Sequence, residues 1–326
     1  RLICLVAEEI MQGGNLLTVR HWLDVLPDER VRADGNLAFY KGWTLSMTGE
    51  SALAEEYVNA AEACFRRDEA DDGDWGKLYA HRGFVAVLVD RDYERGIETA
   101  TKALQLLGDT QTHWHVIALW TLAEASERTQ NIAEAIDTLR EARQAGLALG
   151  EHIFAIVVEG ALTKALNDHG QRLEALAICE EAIRRFSEGG KRTSLMAGHL
   201  FSWMGVLAYE ANQLARSREY HEKAIALNKQ IGLDYDFASS RGLSAPTLYG
   251  LGEVEAALEA LRESHQAALK ARYADPGYFL AWDAHIRLRE GDLVAARRWA
   301  ERVGLSPDAE PEALGIASYL GYGRLL

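Results

Sequence analysis

The sequence predicts an all-α fold, a solenoid of about seven stacked helix–turn–helix units. A small residue recurs one turn into an amphipathic helix at intervals of 39–42 residues. A Gly, Asn or Asp turn precedes each of these helices, and only 5 prolines occur in 326 residues. Repeats of this length indicate supersecondary units that bury their apolar faces against their neighbours.

The predicted organisation is a single domain over 1–326. Its N-terminal segment 1–34 is expected to form a helix pair, with helices at about 2–12 and 15–25. Segment 35–310 then holds the repeats, and 311–326 is expected to form a truncated last helix. The chain starts at Arg1 and stops abruptly at Leu326, which predicts a fragment of a longer protein.

The repeat is clearest just after the aspartates at 90 and 92. Tyr93, Gly96 and Ala100 follow that turn at three- and four-residue steps, which places them on one face of a helix. Small residues on such a face let a partner helix approach closely. The equivalent anchor positions of the seven units are Ala54, Gly96, Ala135, Ala175, Ser217, Ala257 and Ala296.

The turns carry residues that tolerate a left-handed backbone, which a helix C-cap commonly requires. These residues are Gly49, Asn131, Gly170, Asn212, Gly252 and Gly291. We therefore expect the first helix of these units to end in a left-handed C-cap.

Composition excludes several classes of function. The formal net charge is -14 and the pI is near 5.2, so the surface repels phosphate groups and this segment is not expected to contact nucleic acid. No run of 18 apolar residues is present, so no membrane contact is expected. Three widely spaced cysteines, an odd number, predict a reducing and therefore cytoplasmic location.

Catalytic motifs are absent from the sequence. The pairs Gly76-Lys77 and Gly190-Lys191 lack the remaining residues of a phosphate-binding loop. His113 and His115 are two residues apart, so on a helix they do not share a face that could hold a metal. The acidic connector 67–74 lacks the spacing of a calcium loop. The sequence predicts a binding scaffold and not an enzyme.

The N-terminal block carries a more distinctive pattern. The phrase Trp22-Leu23-Asp24-Val25-Leu26-Pro27-Asp28-Glu29 precedes a helix that contains Gly42-Trp43 and ends near Gly49. With the repeats, this block resembles the tetratricopeptide-repeat sensor region of MalT-type regulators, which are bacterial LuxR-family transcription activators of the signal-transduction NTPase class. The resemblance implies a right-handed superhelix. The usual tetratricopeptide period is 34 residues, so the longer period here predicts longer helices or linkers.

The resemblance also implies a function. In that family a nucleotide-binding domain precedes the sensor and a helix-turn-helix domain follows it. ATP is then expected on the upstream domain, and no cofactor is expected in this segment. The superhelix is expected to bind a small-molecule inducer or a regulatory protein, which permits self-association of the regulator. Such coupling requires that the inducer bind one conformation better than another.

The first helix of each unit lines the concave face in the superhelices that this chain resembles. Exposed positions of those helices are the candidate ligand-binding residues: Phe39, Trp43, His81, Trp120, Glu124, Lys164, Asn167, His199, Ser202 and Tyr209. Aromatic rings beside hydrogen-bonding groups suit a small polar ligand. As alternatives, Trp43 and Trp120 pack between helices, and His81 and His199 are plain surface residues. Glu124 and Lys164 could equally form a solvated ion pair.

A second function is a general peptide-binding adaptor. Protein-binding grooves of this class often display basic residues that hold a peptide carboxylate. The candidate positions contain few basic residues, which favours the inducer-sensing function. Reading the full gene distinguishes the two, because only the regulator has the two flanking domains.

Overall fold

The computed structural model describes residues 2–13, 15–108, 112–129, 131–150, 153–188, 197–231, 234–271 and 277–303. These residues form seventeen helices and no strand, which confirms the all-α helical-repeat prediction. The chain divides into two compact units, Arg1–Ile178 (unit 1) and Cys179–Leu326 (unit 2). The single domain over 1–326 stays a prediction, and the helix predicted at 311–326 lies outside the described residues.

Unit 1 begins with three helices, α1 (Leu2–Gln12), α2 (Leu16–Val25) and α3 (Asp28–Ala33). The first two match the predicted helix pair to within one residue. The short α3 has no counterpart in the prediction. It starts directly after Pro27, and the carboxylates of Asp28 and Glu29 lie in its first turn, where they favour a helix N-terminus.

Seven helix pairs follow, and we call their members first and second helices. The pairs that begin in unit 1 are α4 (Gly35–Met47) with α5 (Ser51–Arg67), α6 (Asp72–Val85) with α7 (Tyr93–Leu107), α8 (His113–Arg128) with α9 (Ile132–Ala148), and α10 (Ile153–Asp168) with α11 (Arg172–Glu188). Unit 2 contains the pairs α12 (Gly198–Glu210) with α13 (Leu214–Ile231), α14 (Asp234–Gly250) with α15 (Val254–Ala271), and α16 (Gly277–Arg289) with α17 (Leu293–Val303). The boundary between the units falls within α11.

Most of the turns within pairs have the predicted C-cap. A residue with φ between 58° and 86° ends the first helix, and the next residue donates its N–H to the carbonyl five positions earlier, at 2.7–2.9 Å. These left-handed residues are Gly49, Gly170, Asn212, Gly252 and Gly291. The prediction is wrong for Asn131, whose φ is -96° because it stands at the N-cap of α9. After α6, a π-helical turn (Ala86–Asp90) leads to a left-handed Arg91.

The anchor residues are buried in all seven second helices, as predicted from their small size. Glycines on the first helices face the second helices and allow the close approach. A Cβ atom on Gly42 would lie only 2.6 Å from Cγ2 of Val58 on α5. One on Gly83 would lie 3.0 Å from Oγ1 of Thr99 on α7. Small residues therefore set the spacing within the pairs.

Replacing Gly96 by leucine is expected to lower the free energy of unfolding by about 1–3 kcal/mol. A Cβ atom there would collide with Cγ2 of Val87, and Cβ of Ala125 lies 3.6 Å away. Overpacking outweighs the better helix propensity of leucine. Urea unfolding followed by circular dichroism measures the change, and Glu98→Leu at an exposed position of the same helix is the control. A neutral Gly96→Leu would show that this position is not a close helix crossing.

Candidate functional site

The first helices of unit 1 meet through a continuous set of rings, which we call the aromatic cluster. Its members are Phe39 and Trp43 on α4, His81 and Phe84 on α6, Trp114 and Trp120 on α8, and Phe154 on α10. Neighbouring ring centroids lie 4.9–6.1 Å apart, most of them in edge-to-face geometry. Trp114 touches both Phe39 and Trp43, so α4 and α8 are in direct contact although α6 comes between them in the chain.

The predicted exposure of several candidate residues is wrong. Phe39, Trp43, His81 and Trp120 are buried in the aromatic cluster, as in the packing alternative for the two tryptophans. The physical reason is the close packing of the first helices. A Cβ atom on Gly83 of α6 would lie 3.2 Å from Cγ2 of Thr121 on α8, and Trp114 of α8 covers the rings of Phe39 and Trp43.

Ser202 of unit 2, also predicted to be exposed, is buried as well, and its hydroxyl donates back to the carbonyl of Gly198 at 3.2 Å. A role of these five residues in ligand binding stays a prediction.

His81 is the polar member of the aromatic cluster. Its Nε2 lies 2.8 Å from the hydroxyl of Ser46, while its buried Nδ1 has no hydrogen-bond partner within the described part of the chain. Burial, and secondarily the positive charge of Arg82, lowers the pKa of His81 to about 3. The imidazole is therefore neutral at pH 7 and would not hold an anion by charge.

We call the side of the first helices that carries the candidate ligand-binding residues the first-helix face. Helix α1 covers part of this face in unit 1. The carboxylate of Glu8 accepts hydrogen bonds from the Tyr40 hydroxyl at 2.9 Å and from the Trp114 indole Nε1 at 2.7 Å. Burial and the Glu8 carboxylate raise the pKa of Tyr40. Sequence reasoning missed Glu8, because its partners lie 32 and 106 positions away and no local pattern marks them.

Lys77 is a buried charged residue to which sequence reasoning assigned no role. Its ammonium group bonds the carboxylate of Asp74 at 2.5 Å and the amide oxygen of Asn36. The same group lies 5.5 Å from the ring centroids of Phe39 and Tyr40. Lys77 therefore fixes the edge of the aromatic cluster rather than offering a free charge.

The accessible polar candidates of unit 1 lie farther along the first helices. Glu124, Lys164 and Asn167 are half-buried on α8 and α10. The Lys164 ammonium group bonds Glu127 and also Asp168 at 3.0 Å. Burial alone would lower the pKa of Lys164, but the carboxylates of Glu127, Asp168 and Glu124 raise it. Three carboxylates thus act on one ammonium group, and we call Glu124, Glu127 and Asp168 the acidic patch.

The accessible candidates of unit 2 are His199 and Tyr209, both half-buried on α12. Nδ1 of His199 lies 3.6 Å from the carboxylate of Asp236 on α14. The Tyr209 ring meets the Trp282 ring on α16 edge-on, with centroids 6.4 Å apart. Both candidates therefore contact another first helix of unit 2.

The residues that the structure describes carry neither a metal-binding cluster nor a membrane-spanning helix. They contain no group of three or more His, Cys, Asp or Glu residues placed to hold a metal ion. None of their helices combines the length and the hydropathy that crossing a bilayer requires.

Comparison with solved structures shows which fold this is. NprR in complex with its cognate peptide NprX is similar over 98% of this chain and 94% of its own, at 16% identity and a TM-score of 0.66. A Rap protein complexed with competence and sporulation factor is similar over 96% and 90%, at 13% identity and a TM-score of 0.65. Aspartyl phosphate phosphatase F from Bacillus subtilis is similar over 87% and 71%, at 16% identity and a TM-score of 0.61. At these identities the similarity establishes the helical-repeat fold alone.

Comparison of sequences identifies the family. No curated protein matches the sequence. The family model of the MalT-like TPR region matches residues 76–316. The match confirms the resemblance. It rests on the repeats, because the block from Trp22 to Glu29 lies before the matched span. The match spans more than half of the residues of this chain, so the chain belongs to the family of MalT-like TPR regions.

Proposed function

We propose that this chain is the inducer-sensing module of a MalT-like, ATP-dependent transcription regulator. The observation that carries the proposal is the family match over residues 76–316. In this proposal the module binds a ligand or a protein on its first-helix face and thereby controls attached NTPase and DNA-binding domains. The module is itself non-catalytic, works in the cytoplasm, needs no cofactor, and leaves ATP and DNA to the attached domains.

The accessible part of the first-helix face suggests the chemistry of the inducer. In unit 1 the acidic patch places three carboxylates around the ammonium group of Lys164. The whole chain carries a net charge of -14, which favours the approach of cations. A small amine or a regulatory protein with a basic segment fits this face better than an anion does.

Control of the attached domains follows from linkage. An inducer shifts an equilibrium between two conformations only by the difference between its affinities for them, typically about 1–3 kcal/mol. Stacked helix pairs supply many interfaces at which small shifts add up. In this proposal, inducer binding favours the conformation that permits self-association.

The alternative function is a peptide-binding adaptor. NprR binds the peptide NprX, and a Rap protein is complexed with competence and sporulation factor, both on the fold that this chain shares. Sequencing the surrounding gene separates the two functions. The regulator requires a nucleotide-binding domain upstream and a helix-turn-helix domain downstream, and a gene without them favours the adaptor.

Ligand binding by the first-helix face is tested by calorimetry with spermidine and with a lysine-rich peptide. Replacing Glu124 by glutamine together with Asp168 by asparagine is expected to weaken binding about tenfold, because two charge-assisted contacts are lost. The matched control is Glu174→Gln, which removes an exposed carboxylate from the second helix α11. Equal losses in both variants would exclude the acidic patch as the binding site.

A further inference from the structure

A cavity opens in unit 2 between two successive second helices. It has a volume of about 280 Å³ and lies between α13 and α15, with α14 contributing to its wall. Its lining includes His221, Arg218 and Glu222 from α13, Arg241 and Ser244 from α14, and Ala256 from α15. This volume suits a small molecule rather than a peptide. None of these residues is among the ligand-binding candidates of the first-helix face, although α14 is itself a first helix.

His221 lies at the bottom of this cavity and is only 2% exposed. Neither of its ring nitrogens has a hydrogen-bond partner within the described residues. The ring lies against Gly205, where an added Cβ atom would be 2.6 Å from Nδ1 and from Nε2. Burial lowers its pKa to about 4, so the ring is neutral at pH 7 and offers one unused donor and one unused acceptor. A buried polar group in this state is costly unless something binds it.

Comparison of the repeats shows that the fold does not require a histidine at this position. His221 stands four residues after the anchor Ser217 of its helix. The equivalent residues of the other six second helices all lack a strongly polar side chain: Val58, Ala100, Leu139, Cys179, Leu261 and Ala300. An apolar residue thus meets the packing requirement elsewhere, and the imidazole is a special feature of this one helix pair.

The rim of the cavity carries charges of both signs. The guanidinium group of Arg218 bonds both carboxylate oxygens of Glu253 at 2.7 Å and bonds Glu222 at 3.0 Å. Arg241 bonds Glu263 at 2.6 Å. The carboxylate of Glu259 also lines the opening and is bonded by Arg262, so the rim is a set of ion pairs. A ligand with a single charge that replaces one partner of such a pair leaves the displaced charge without compensation. A zwitterion supplies a new partner for each sign.

We propose that this cavity binds a small zwitterion of the amino-acid type whose side chain carries an amide or a hydroxyl group. The ligand carboxylate lies at Arg218 and Arg241, and its ammonium group lies at Glu222 and Glu259. Its side chain reaches His221, because an amide or a hydroxyl supplies both a donor and an acceptor for a neutral imidazole. The site uses none of the candidate residues of the first-helix face, so it holds or fails independently of the function proposed for that face.

Calorimetry on the whole chain tests the proposal with glutamine, asparagine, serine and threonine. We expect saturable binding of at least one of these L-amino acids. For glutamine, the matched probes are 4-carbamoylbutanoate, which lacks the ammonium group, and 4-aminobutanamide, which lacks the carboxylate. Each is expected to bind at least about tenfold more weakly. No binding by any of the four amino acids, or equal binding by the singly charged probes, overturns the proposal.

Two variants locate the binding in the cavity. His221→Leu introduces the residue found at the equivalent position of α9 and α15, and it is expected to weaken binding about tenfold or more. Ala256→Phe fills the opening from an exposed position, so it blocks binding without disturbing the core. The control is Arg140→Ala, which removes an exposed cross-helix ion pair with Glu174 in unit 1. Unchanged affinity in the two cavity variants contradicts the assignment.

Discussion

Replacing Trp114 by alanine is expected to lower the free energy of unfolding by about 3–5 kcal/mol. The indole is 2% exposed and touches the rings of Phe39 and Trp43 at centroid distances of 4.9 and 5.0 Å. Its Nε1 also donates to Glu8 at 2.7 Å. The variant therefore leaves a large cavity between first helices and removes one contact of α1. Urea unfolding, followed by circular dichroism, measures the loss.

The control for this variant is Leu173→Ala, at a side chain that is 85% exposed. It is expected to change the free energy of unfolding by less than about 0.5 kcal/mol. A Trp114→Ala loss below about 1 kcal/mol would mean that the aromatic cluster is not the core of unit 1. Glu8→Leu removes the hydrogen bonds to Tyr40 and Trp114 but leaves every ring in place. It therefore separates their contribution to the free energy of unfolding from that of ring packing.

The helix pairs could be predicted from the sequence because their causes are local. Apolar periodicity fixes one face of a helix, and a left-handed residue such as Gly170 ends it. The small anchors at 39–42 residue intervals mark each second helix in the same way. Asn131 misled this reasoning because asparagine serves as an N-cap as readily as it adopts a left-handed backbone.

The candidate site was harder to predict because it depends on contacts between distant segments. Periodicity assigns Phe39 and Trp43 to the first-helix face, but it cannot show that Trp114 and α1 occupy the space opposite them. The candidate residues that remain accessible in unit 1 are Glu124, Lys164 and Asn167. Burial of the rings therefore narrows the predicted ligand-binding residues of unit 1 to these three polar side chains.

His221 shows a signal that was present in the sequence. Aligning the repeats places an imidazole where the other second helices have an apolar residue or a cysteine. Periodicity alone treats such a residue as an irregularity of the apolar face. Only the structure shows that both of its nitrogens are buried without partners beside a cavity.

Acidification from pH 7 to pH 5 is expected to destabilise the protein through its two buried histidines. The pKa of His81 is lowered to about 3 and that of His221 to about 4, against about 6.5 for an unfolded chain. Between these values the unfolded state binds more protons than the folded state, so stability rises with pH in this window. The free energy of unfolding that depends on each neutral, buried histidine is fully present above pH 6.5. It is lost as the pH falls towards the pKa of that histidine in the folded state.

The expected loss at pH 5 is about 2 kcal/mol for each histidine, because one pKa unit corresponds to about 1.4 kcal/mol. Carboxyl groups with a lowered pKa, such as Asp28, affect stability only below this pH window, because the ordinary pKa of a carboxyl group is already near 4. Urea unfolding at pH 7, 6 and 5 measures the dependence. His81→Leu and His221→Leu should each remove about half of it, while His169→Ala, at an exposed position, should leave it intact. A wild-type protein that is equally stable at pH 7 and pH 5 would show that water reaches both imidazoles, and the aromatic cluster would then be open to ligands after all.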